Sequence, residues 1–318
     1  MRVFVRQQPE HAEPSSGKKE DPAEKERAKQ RAKKNLVIGM ILEGACLLAL
    51  YLALSPMLAM PMYNAMIFRP WLENVDLSPA IKKVEQMFNC RYEEVSIKTR
   101  GRERLNGWYF KIPGAKKTIL VSHGNAGNIQ HRLELCPLLL STGCSVLLYD
   151  YVGYGKSTGS PSLPNVCADA VAAFDYLTND QRLKPDDVII YGESIGCGVT
   201  SELSRQRRAG AIILQSPFTS LPACGADKLP FMRLYPQWIY PGPHLDNLGI
   251  MQAAHAPLLI IHGMKDAILP YQYAERIMAE AAEPKTLVLL PDAGHNDVCS
   301  VDVPQSLTAL KKFVARLN

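Results

Sequence analysis

The segment Asp187-Val-Ile-Ile-Tyr-Gly-Glu-Ser-Ile-Gly-Cys-Gly198 carries the strongest structural signal in this chain of 318 residues. Val188–Tyr191 is a short apolar run rich in β-branched residues, which is typical of a buried parallel strand. Gly192-Glu-Ser-Ile-Gly196 follows at once and fits the pattern G-x-S-x-G, and helix-compatible residues then resume. A strand, a tight turn and a helix in this order would expose the hydroxyl group of Ser194 above a sheet. The alternative is a serine that only caps the helix.

Short apolar segments recur on both sides of this segment and alternate with helical patterns. We predict strands at Tyr92–Thr99, Leu105–Ile112, Thr118–Ser122, Ser145–Tyr149, Val188–Tyr191, Ala211–Gln215, Leu258–Ile261 and Thr286–Leu290. Helices are expected at Pro79–Phe88, Asn128–Leu140, Pro164–Leu177, Ile195–Arg207, Tyr271–Ala282 and Val303–Leu317. Two antiparallel strands followed by β/α alternation indicate an α/β fold with a mostly parallel twisted sheet and helices on both faces. Residues 216–254 contain six prolines and are predicted to form a lid-like insertion over one end of the sheet.

The first 62 residues differ in composition from the rest. Residues 1–34 hold ten Lys/Arg and six Asp/Glu, so we expect a basic arm that is either a solvated helix or an unstructured chain. Leu36–Leu54 carries one charge, Glu43, in nineteen residues, which is long enough for a helix to span a bilayer. A buried core helix and a cleaved signal peptide are the alternatives. The carboxylate of Glu43 is costly inside a membrane unless it is protonated or paired.

These changes in composition divide the chain into four parts. We expect a basic arm (1–34), a transmembrane region (35–62), a juxtamembrane connector (63–90) and a folded domain (91–318). Only Arg69 lies between the apolar segment and Lys82, whereas ten basic residues precede it. The positive-inside rule therefore predicts a cytoplasmic N-terminus and a folded domain on the opposite side, whether periplasmic, extracellular or lumenal.

The remainder of the chain argues against two classes of function. Residues 35–318 carry 26 basic and 25 acidic residues, and this near-neutral balance argues against a nucleic-acid-binding protein. The eight cysteines show neither C-x-x-C nor zinc spacing, so no metal and no other cofactor is expected. Buried free thiols are the simplest interpretation of these cysteines.

Three predicted strands end at residues with catalytic chemistry. Ser194 follows the central strand, Asp266 follows Leu258–Ile261, and His295 follows Thr286–Leu290. Ligands bind at the carboxyl ends of parallel strands, so these side chains could meet at one edge of the sheet. In that case Ser194 would attack a carbonyl carbon, His295 would accept its proton, and Asp266 would orient the imidazole. Asp292 and Asp297 are weaker candidates for the acid because they share a loop with His295.

The glycine-rich turn Ser122-His-Gly-Asn-Ala-Gly-Asn128 supplies a fourth element at the end of another strand. Acyl transfer places negative charge on the former carbonyl oxygen, which two backbone N–H groups can stabilise. We expect these N–H groups to come from Asn125 and Ile195. For His123 and His262 we expect local packing or hydrogen bonding, and no role as the base.

Taken together, these motifs resemble the α/β-hydrolase superfamily of serine hydrolases, and most of all its membrane-anchored α/β-hydrolase-domain proteins. The resemblance covers about residues 90–318 and rests on five motifs in the family's order: His123–Asn128, Asp150–Ser157, Gly192–Gly196, His262–Asp266 and Gly294–Asp297. It implies that Ser194, Asp266 and His295 form the catalytic triad. Val152 departs from the family's usual arginine in the Asp-Tyr-Arg-Gly turn, and Cys197 departs from a common second glycine.

The resemblance also implies a reaction class. We expect a serine esterase or lipase-like enzyme that cleaves ester or thioester bonds of acyl or lipid-like substrates and that has the lipid bilayer as a partner. A serine peptidase of the same fold and a non-catalytic hydrolase fold used as a membrane scaffold are the alternatives. Apolar and aromatic residues between Leu229 and Tyr240 would suit an acyl chain, although ordinary packing over the sheet explains them as well.

Overall fold

The computed structural model describes residues 21–73 and 75–317, and it divides the chain into two units that meet at Leu54 and Ser55. The first twenty residues of the predicted basic arm lie outside the described residues. The predicted boundaries at residues 62 and 90 are not where the structure divides the chain. Residues 55–90, which were expected to form part of the anchor and a connector, belong to the folded unit.

The first unit is one long helix, α1 (Pro22–Ala53). Asp21 caps it, because its side chain accepts a hydrogen bond from the N–H of Ala23 at 3.0 Å, and Pro22 occupies the first turn. No residue of α1 is buried. The helix is long and apolar enough to cross a membrane, and a signal sequence near the N-terminus would satisfy the same criteria.

The second unit contains the sheet. The strands of the described chain are β1 (Arg69–Pro70), β2 (Arg91–Lys98), β3 (Arg104–Lys111), β4 (Thr118–Ser122), β5 (Ala126–Gly127), β6 (Ser145–Tyr149), β7 (Val188–Glu193), β8 (Ala211–Gln215), β9 (Leu258–Gly263) and β10 (Lys285–Leu290). The main sheet has the order β10-β9-β8-β7-β4-β6-β3-β2. Its strands from β10 to β6 are parallel, and β3 and β2 are antiparallel to their neighbours. The predicted α/β fold is confirmed.

Helices cover both faces of this sheet. The helices of this unit are α2 (Met60–Ile67), α3 (Ser78–Phe88), α4 (Leu135–Leu140), α5 (Leu163–Asp175), α6 (Ile195–Gln206), α7 (Leu221–Lys228), α8 (Asn247–Gln252), α9 (Gln272–Glu280) and α10 (Val303–Ala315), of which α2 packs against the insertion. The single helix expected at Asn128–Leu140 was wrong: a 3₁₀ turn at Ile129–Arg132 precedes the short helix α4. Pro137 has no N–H to donate to the preceding turn, which favours a break at this point.

The alternation of side chains along β7 creates two cores. Val188 and Ile190 point into the core on one face of the sheet, and Ile189 and Tyr191 point into the core on the other. All four side chains are buried, as expected for a central strand with helices on both sides. The carboxyl end of β7 is therefore held firmly from both faces, and this is where Ser194 begins its turn.

The segment before the sheet packs against the domain through its backbone. β1 pairs in parallel with β5, and the N–H groups of Arg69 and Trp71 donate to the carbonyl oxygens of Asn125 and Gly127 at 3.0 and 3.2 Å. The side chain of Asn125 in turn donates to the carbonyl oxygen of Ile67 at 3.0 Å. The glycine-rich turn is thus bound to the segment that the sequence suggested was only a connector.

Candidate active site

Ser194 occupies a sharp turn between β7 and α6. Its backbone has φ 56° and ψ −118°, a conformation that costs a non-glycine residue about 1–3 kcal/mol. Two glycines make the turn possible: a Cβ on Gly196 would lie 2.1 Å from the carbonyl oxygen of Ser122, and one on Gly192 would lie 2.4 Å from that of Gly196. The N–H of Ser194 donates to the carbonyl oxygen of Gln215 at 2.9 Å, which fixes the turn to β8.

The structure brings Ser194, His295 and Asp266 together. Nε2 of His295 lies 3.0 Å from Oγ of Ser194, and Nδ1 of the same ring lies 2.6 Å from Oδ2 of Asp266. Oδ1 of Asp266 accepts hydrogen bonds from the N–H groups of Ile268 and Leu269, both at 2.8 Å. A base therefore lies between a hydroxyl group and a carboxylate whose own orientation is fixed by the backbone.

The pKa of Asp266 reflects these contacts. Burial by itself would raise the pKa of this carboxyl group, but hydrogen bonds from two imidazoles and a backbone N–H outweigh burial and hold the pKa well below its usual range. The carboxylate is therefore negatively charged across the physiological pH range, as a group that orients and stabilises a protonated histidine must be.

His262 is the second imidazole on Asp266, and this contact was missed in the sequence. Its Nε2 lies 3.2 Å from Oδ2 of Asp266 and 2.8 Å from the carbonyl oxygen of Leu269. Its Nδ1 is buried and has no hydrogen-bond partner among the described residues. Because both neighbours of Nε2 are acceptors, the ring carries its proton on that nitrogen. The separation of four residues between His262 and Asp266 is the only sequence signal that could have suggested the pair.

His123 behaves as a packed turn residue. It is fully buried, its Nδ1 lies 2.7 Å from the carbonyl oxygen of Gly124, and its ring lies 4.3 Å from that of Tyr151. Burial, reinforced by the charge of Arg132, lowers the pKa of His123 to about 3. The imidazole is therefore neutral and has no contact with Ser194 in the described structure.

The other two acid candidates have other partners, and the two departures from the family's motifs are both buried. Asp292 pairs with Lys265 at 2.6 Å, and Asp297 accepts from the N–H of Gly294 within its own loop. Val152, at the position of the family's usual arginine, is buried, and its N–H donates to Asp169 at 2.9 Å. The thiol of Cys197, at the position of the common second glycine, lies 3.2 Å from the carbonyl oxygen of Gly192 and 3.0 Å from that of Gln215, and it can donate its one proton to either.

A largely buried ion pair connects the nucleophile turn to the glycine-rich turn. Nε and Nη2 of Arg132 each lie 3.0 Å from a carboxylate oxygen of Glu193, the residue before Ser194. Nη1 of the same arginine donates to the carbonyl oxygen of Ala126 at 2.6 Å. The two side chains are only 13% and 15% exposed. No sequence pattern indicated this pair, because its partners are 61 residues apart.

These groups open into one cavity of about 650 Å³. Ser194 and His295 line it together with Asn125 and Ile195, the two residues whose N–H groups were expected to stabilise an oxyanion. Its other walls are mainly apolar and come from α2 and from the insertion, and they include Met60, Tyr63, Met66, Ile67, Phe218, Leu221, Leu229, Met232 and Tyr240. Such a volume and lining fit a small, largely apolar ligand.

A larger groove of about 830 Å³ lies at the opposite edge of the sheet, near the amino ends of β7, β8 and β9. Its lining includes neither Ser194 nor His295, and its arginines are mostly paired with carboxylates, as Arg208 is with Asp186. Ligands of parallel sheets bind at the carboxyl ends of the strands, so the groove is not the candidate site. Among the described residues, no group of three or more His, Cys, Asp or Glu side chains could hold a metal ion.

Comparison with known proteins shows which family the chain resembles. Residues 113–242 match the family described as Serine aminopeptidase, S33; they include Ser194 and Asn125 and end before Asp266 and His295. Alpha/beta hydrolase domain-containing protein 17B of Xenopus laevis is 33% identical over 209 residues, which cover 64% of this chain and 68% of that protein. An uncharacterized protein of Mycobacterium tuberculosis is 39% identical over 223 residues, which cover 70% of this chain and 78% of that protein.

A solved structure agrees with these sequence matches. The Pyrococcus furiosus esterase Pf2001 superposes with a TM-score of 0.64 and 21% identity, and the match covers 79% of this chain and 97% of that one. At this level of identity the likeness shows the fold alone. The sequence match to alpha/beta hydrolase domain-containing protein 17B, at 33% identity over 68% of that protein, shows the family. The chain belongs to the α/β-hydrolase superfamily.

Proposed function

We propose that this protein is a membrane-anchored serine hydrolase that cleaves carboxylic ester or thioester bonds of acyl substrates. The observation that carries the proposal is the position of His295, whose two ring nitrogens lie 3.0 Å from the hydroxyl oxygen of Ser194 and 2.6 Å from a carboxylate oxygen of Asp266. A serine hydroxyl group becomes a useful nucleophile only beside a base in this arrangement.

The reaction follows from this geometry in two halves. Oγ of Ser194 attacks the acyl carbon while Nε2 of His295 accepts its proton, and Asp266 stabilises the imidazolium that forms. When the tetrahedral intermediate collapses, His295 returns the proton to the departing alcohol or thiol, and an acyl-enzyme remains. Water then attacks the acyl carbon while His295 accepts its proton; the bond to Oγ of Ser194 breaks, His295 returns the proton to Oγ, and the carboxylic acid leaves.

Stabilisation of the intermediate is assigned to the N–H groups of Asn125 and Ile195. The N–H of Ile195 is the first of α6, so it adds the partial positive charge of a helix N-terminus. Asn125 is held by its side chain to Ile67 and by its carbonyl oxygen to Arg69 and Tyr154, which supports a fixed donor position. A donor fixed in advance stabilises developing charge without reorganisation.

The walls of the cavity support an acyl substrate. Methionine, leucine, phenylalanine and tyrosine side chains from α2 and the insertion provide most of the surface beyond Ser194. An acyl chain gains from leaving water in such surroundings, whereas a charged substrate loses hydration.

A peptidase is the second candidate because of the family described as Serine aminopeptidase, S33. An aminopeptidase has to bind the free ammonium group of its substrate, and a carboxylate is the usual partner for this charge. Glu193 is the one carboxylate among the described residues that line the cavity, and it is already engaged by Arg132. The ester reaction is therefore the better supported of the two.

Labelling with a fluorophosphonate probe tests the nucleophile. We expect the wild-type protein to be labelled and Ser194→Ala to remain unlabelled; equal labelling of both would remove Ser194 from this role. p-Nitrophenyl esters of increasing chain length, compared with amino-acid p-nitroanilides, test the substrate class. Faster hydrolysis of the anilides would favour the peptidase.

The proposal includes an anchor and an orientation. α1 would span the membrane with the N-terminus in the cytoplasm, as the ten basic residues before the apolar segment favour. In sealed membrane vesicles of known orientation, protease added to the cytoplasmic side should leave residues 55–318 intact. Digestion of that unit from the cytoplasmic side would overturn the orientation and leave the reaction untouched.

A further inference from the structure

Exposed apolar side chains lie on and just before α2, the helix that forms one wall of the cavity. Met57 and Leu58 precede the helix and are 66% and 64% exposed, and Met62 and Met66 lie four residues apart on one helical face. Tyr63, about 60–100° further around α2, turns into the protein and is buried. Residues 55–68 contain no charged side chain at all. A short surface helix in water normally presents charged or polar residues on its outer face.

The insertion presents a second apolar surface beside the first. Trp238 is 81% exposed, and Phe231 is also exposed. Between them, Met232 is buried in a small core with Ala59 and Tyr63 of the α2 region, with Tyr240 packed against it. This core joins the two elements. We call the exposed side chains the apolar rim: Met57, Leu58, Met62, Met66, Phe231 and Trp238.

The chain itself indicates what covers this rim. α1 ends at Ala53, and Met57 follows four residues later. Four extended residues span at most about 14 Å, so Met57 cannot move far from the end of the proposed membrane helix. A largely exposed tryptophan on one element, with exposed methionines and a leucine on the element packed against it, is a combination that suits the boundary between headgroups and acyl chains. Arg69 and Lys228, which line the cavity, add positive charge that suits lipid phosphates.

We propose that the apolar rim lies in the surface of the lipid bilayer, so that the cavity containing Ser194 opens to the membrane and takes its acyl substrate from there. The inference rests on the proposed anchor and reaction, and it adds the source of the substrate and the surface that reaches it. A substrate that enters from the bilayer keeps its acyl chain out of water throughout, since α2 and the insertion are both rim and cavity wall.

Fluorescence quenching in vesicles tests the position of the rim without any need for hydrolysis. The full-length chain has three tryptophans, and Trp108 is buried in the domain. We compare Trp71→Phe with Trp71→Phe/Trp238→Phe in phosphatidylcholine vesicles whose acyl chains are brominated or unmodified. Bromine should quench the first variant, and most of that quenching should disappear in the second. Equal fractional quenching of both variants would show that Trp238 lies outside the bilayer and would overturn the proposal.

Hydrolysis tests the source of the substrate. Met57 and Met62 are exposed and do not line the cavity, so Met57→Gln/Met62→Gln should hydrolyse soluble p-nitrophenyl butyrate at the wild-type rate. Hydrolysis of a long-chain ester embedded in vesicles should fall about fivefold or more, because the rim loses apolar contact with lipid. Met87→Gln, which makes the same change on the exposed face of α3, should leave both rates unchanged.

The outcomes separate the inference from the proposed function. An equal fall with both substrates, or no fall with the embedded one, would overturn the membrane source. If the wild-type protein is not labelled by the fluorophosphonate probe but brominated lipid still quenches Trp238, the proposed reaction is wrong and the contact with the bilayer remains supported.

Discussion

Arg132→Met removes the ion pair that joins the two turns of the candidate site. Methionine fills a similar volume but offers neither charge nor donor. The change eliminates two hydrogen bonds of 3.0 Å to Glu193 and one of 2.6 Å to the carbonyl oxygen of Ala126. The carboxylate of Glu193, only 15% exposed, is left without its cation directly before Ser194.

The expected magnitude follows from this burial. Breaking a buried pair by removing one partner costs about 3–5 kcal/mol, and we take about 3 kcal/mol because both side chains keep a little contact with water. For a unit of this size, 1 kcal/mol corresponds to roughly 2–4 °C in Tm, so Tm should fall by about 6–12 °C. Loosening of the turn that carries Asn125 should also lower kcat/KM by about 100-fold, since an error of about 1 Å in a catalytic group has that effect.

The assay compares this variant with Arg208→Met. Arg208 also faces both oxygens of a carboxylate, that of Asp186, at 2.9 and 3.4 Å, but the two side chains are 82% and 62% exposed. An exposed pair contributes about 1 kcal/mol or less, so this control should change Tm by no more than about 4 °C. Thermal unfolding by circular dichroism gives Tm for both variants, and hydrolysis of p-nitrophenyl butyrate gives kcat/KM.

Arg132→Lys adds a second comparison, because it keeps the charge and loses the planar two-pronged contact. We expect it to recover part of the Tm and less of the activity. The reasoning fails if Arg132→Met and Arg208→Met show the same Tm and the same kcat/KM. Neither the burial of the Arg132–Glu193 pair nor its connection of the two turns would then affect stability or activity.

Three further changes test other parts of the structure. Asp266→Asn should lower kcat by roughly 10⁴-fold with little change in KM, because His295 loses the carboxylate that fixes its tautomer. Steady-state kinetics on p-nitrophenyl butyrate measure both constants. An increase in KM with kcat unchanged would contradict this role. Burial raises the pKa of Asp169 to about 7, so the native state holds a proton that the unfolded chain releases, and this group destabilises the fold as pH rises from about 4 to 7. The stability of Asp169→Asn relative to wild type should therefore improve between pH 5 and pH 8 in urea unfolding, whereas a constant difference would refute the assignment. Gly196→Ala should yield no stably folded, probe-reactive protein, because its Cβ would lie 2.1 Å from the carbonyl oxygen of Ser122. The control Gly44→Ala, whose Cβ would have nothing within 4 Å, should express normally. Normal fluorophosphonate labelling of Gly196→Ala would show that the turn can relax.

The strands could be predicted from the sequence because their signals are local. β4, β6 and β8 begin and end at the predicted residues, and β7 extends the predicted strand only by Gly192 and Glu193. Buried β-branched runs bounded by polar residues leave little choice of structure. The same strand ends indicated Ser194, Asp266 and His295, because parallel strands bring their carboxyl ends to one edge.

Most of the missed features depend on contacts between distant parts of the chain. The pair Arg132–Glu193 forms only once two segments 61 residues apart have folded beside one another. The contact of His262 with Asp266 spans four residues, and it was missed because it depends on the conformation of the turn after β9. The association of β1 with β5 is likewise invisible locally, since Arg69–Pro70 is too short to show any strand pattern. Hydrophobic periodicity reports which residues are buried, and it does not report which polar groups meet.

The pairing of β1 with β5 restricts how this protein can be shortened for laboratory work. A truncation at residue 91, which the sequence alone would suggest, deletes the strand that holds the glycine-rich turn and the helix that forms one side of the cavity. A soluble version should begin at Ser55, where the folded unit begins. That version would still expose the apolar rim, so detergent or a fusion partner should be supplied during purification.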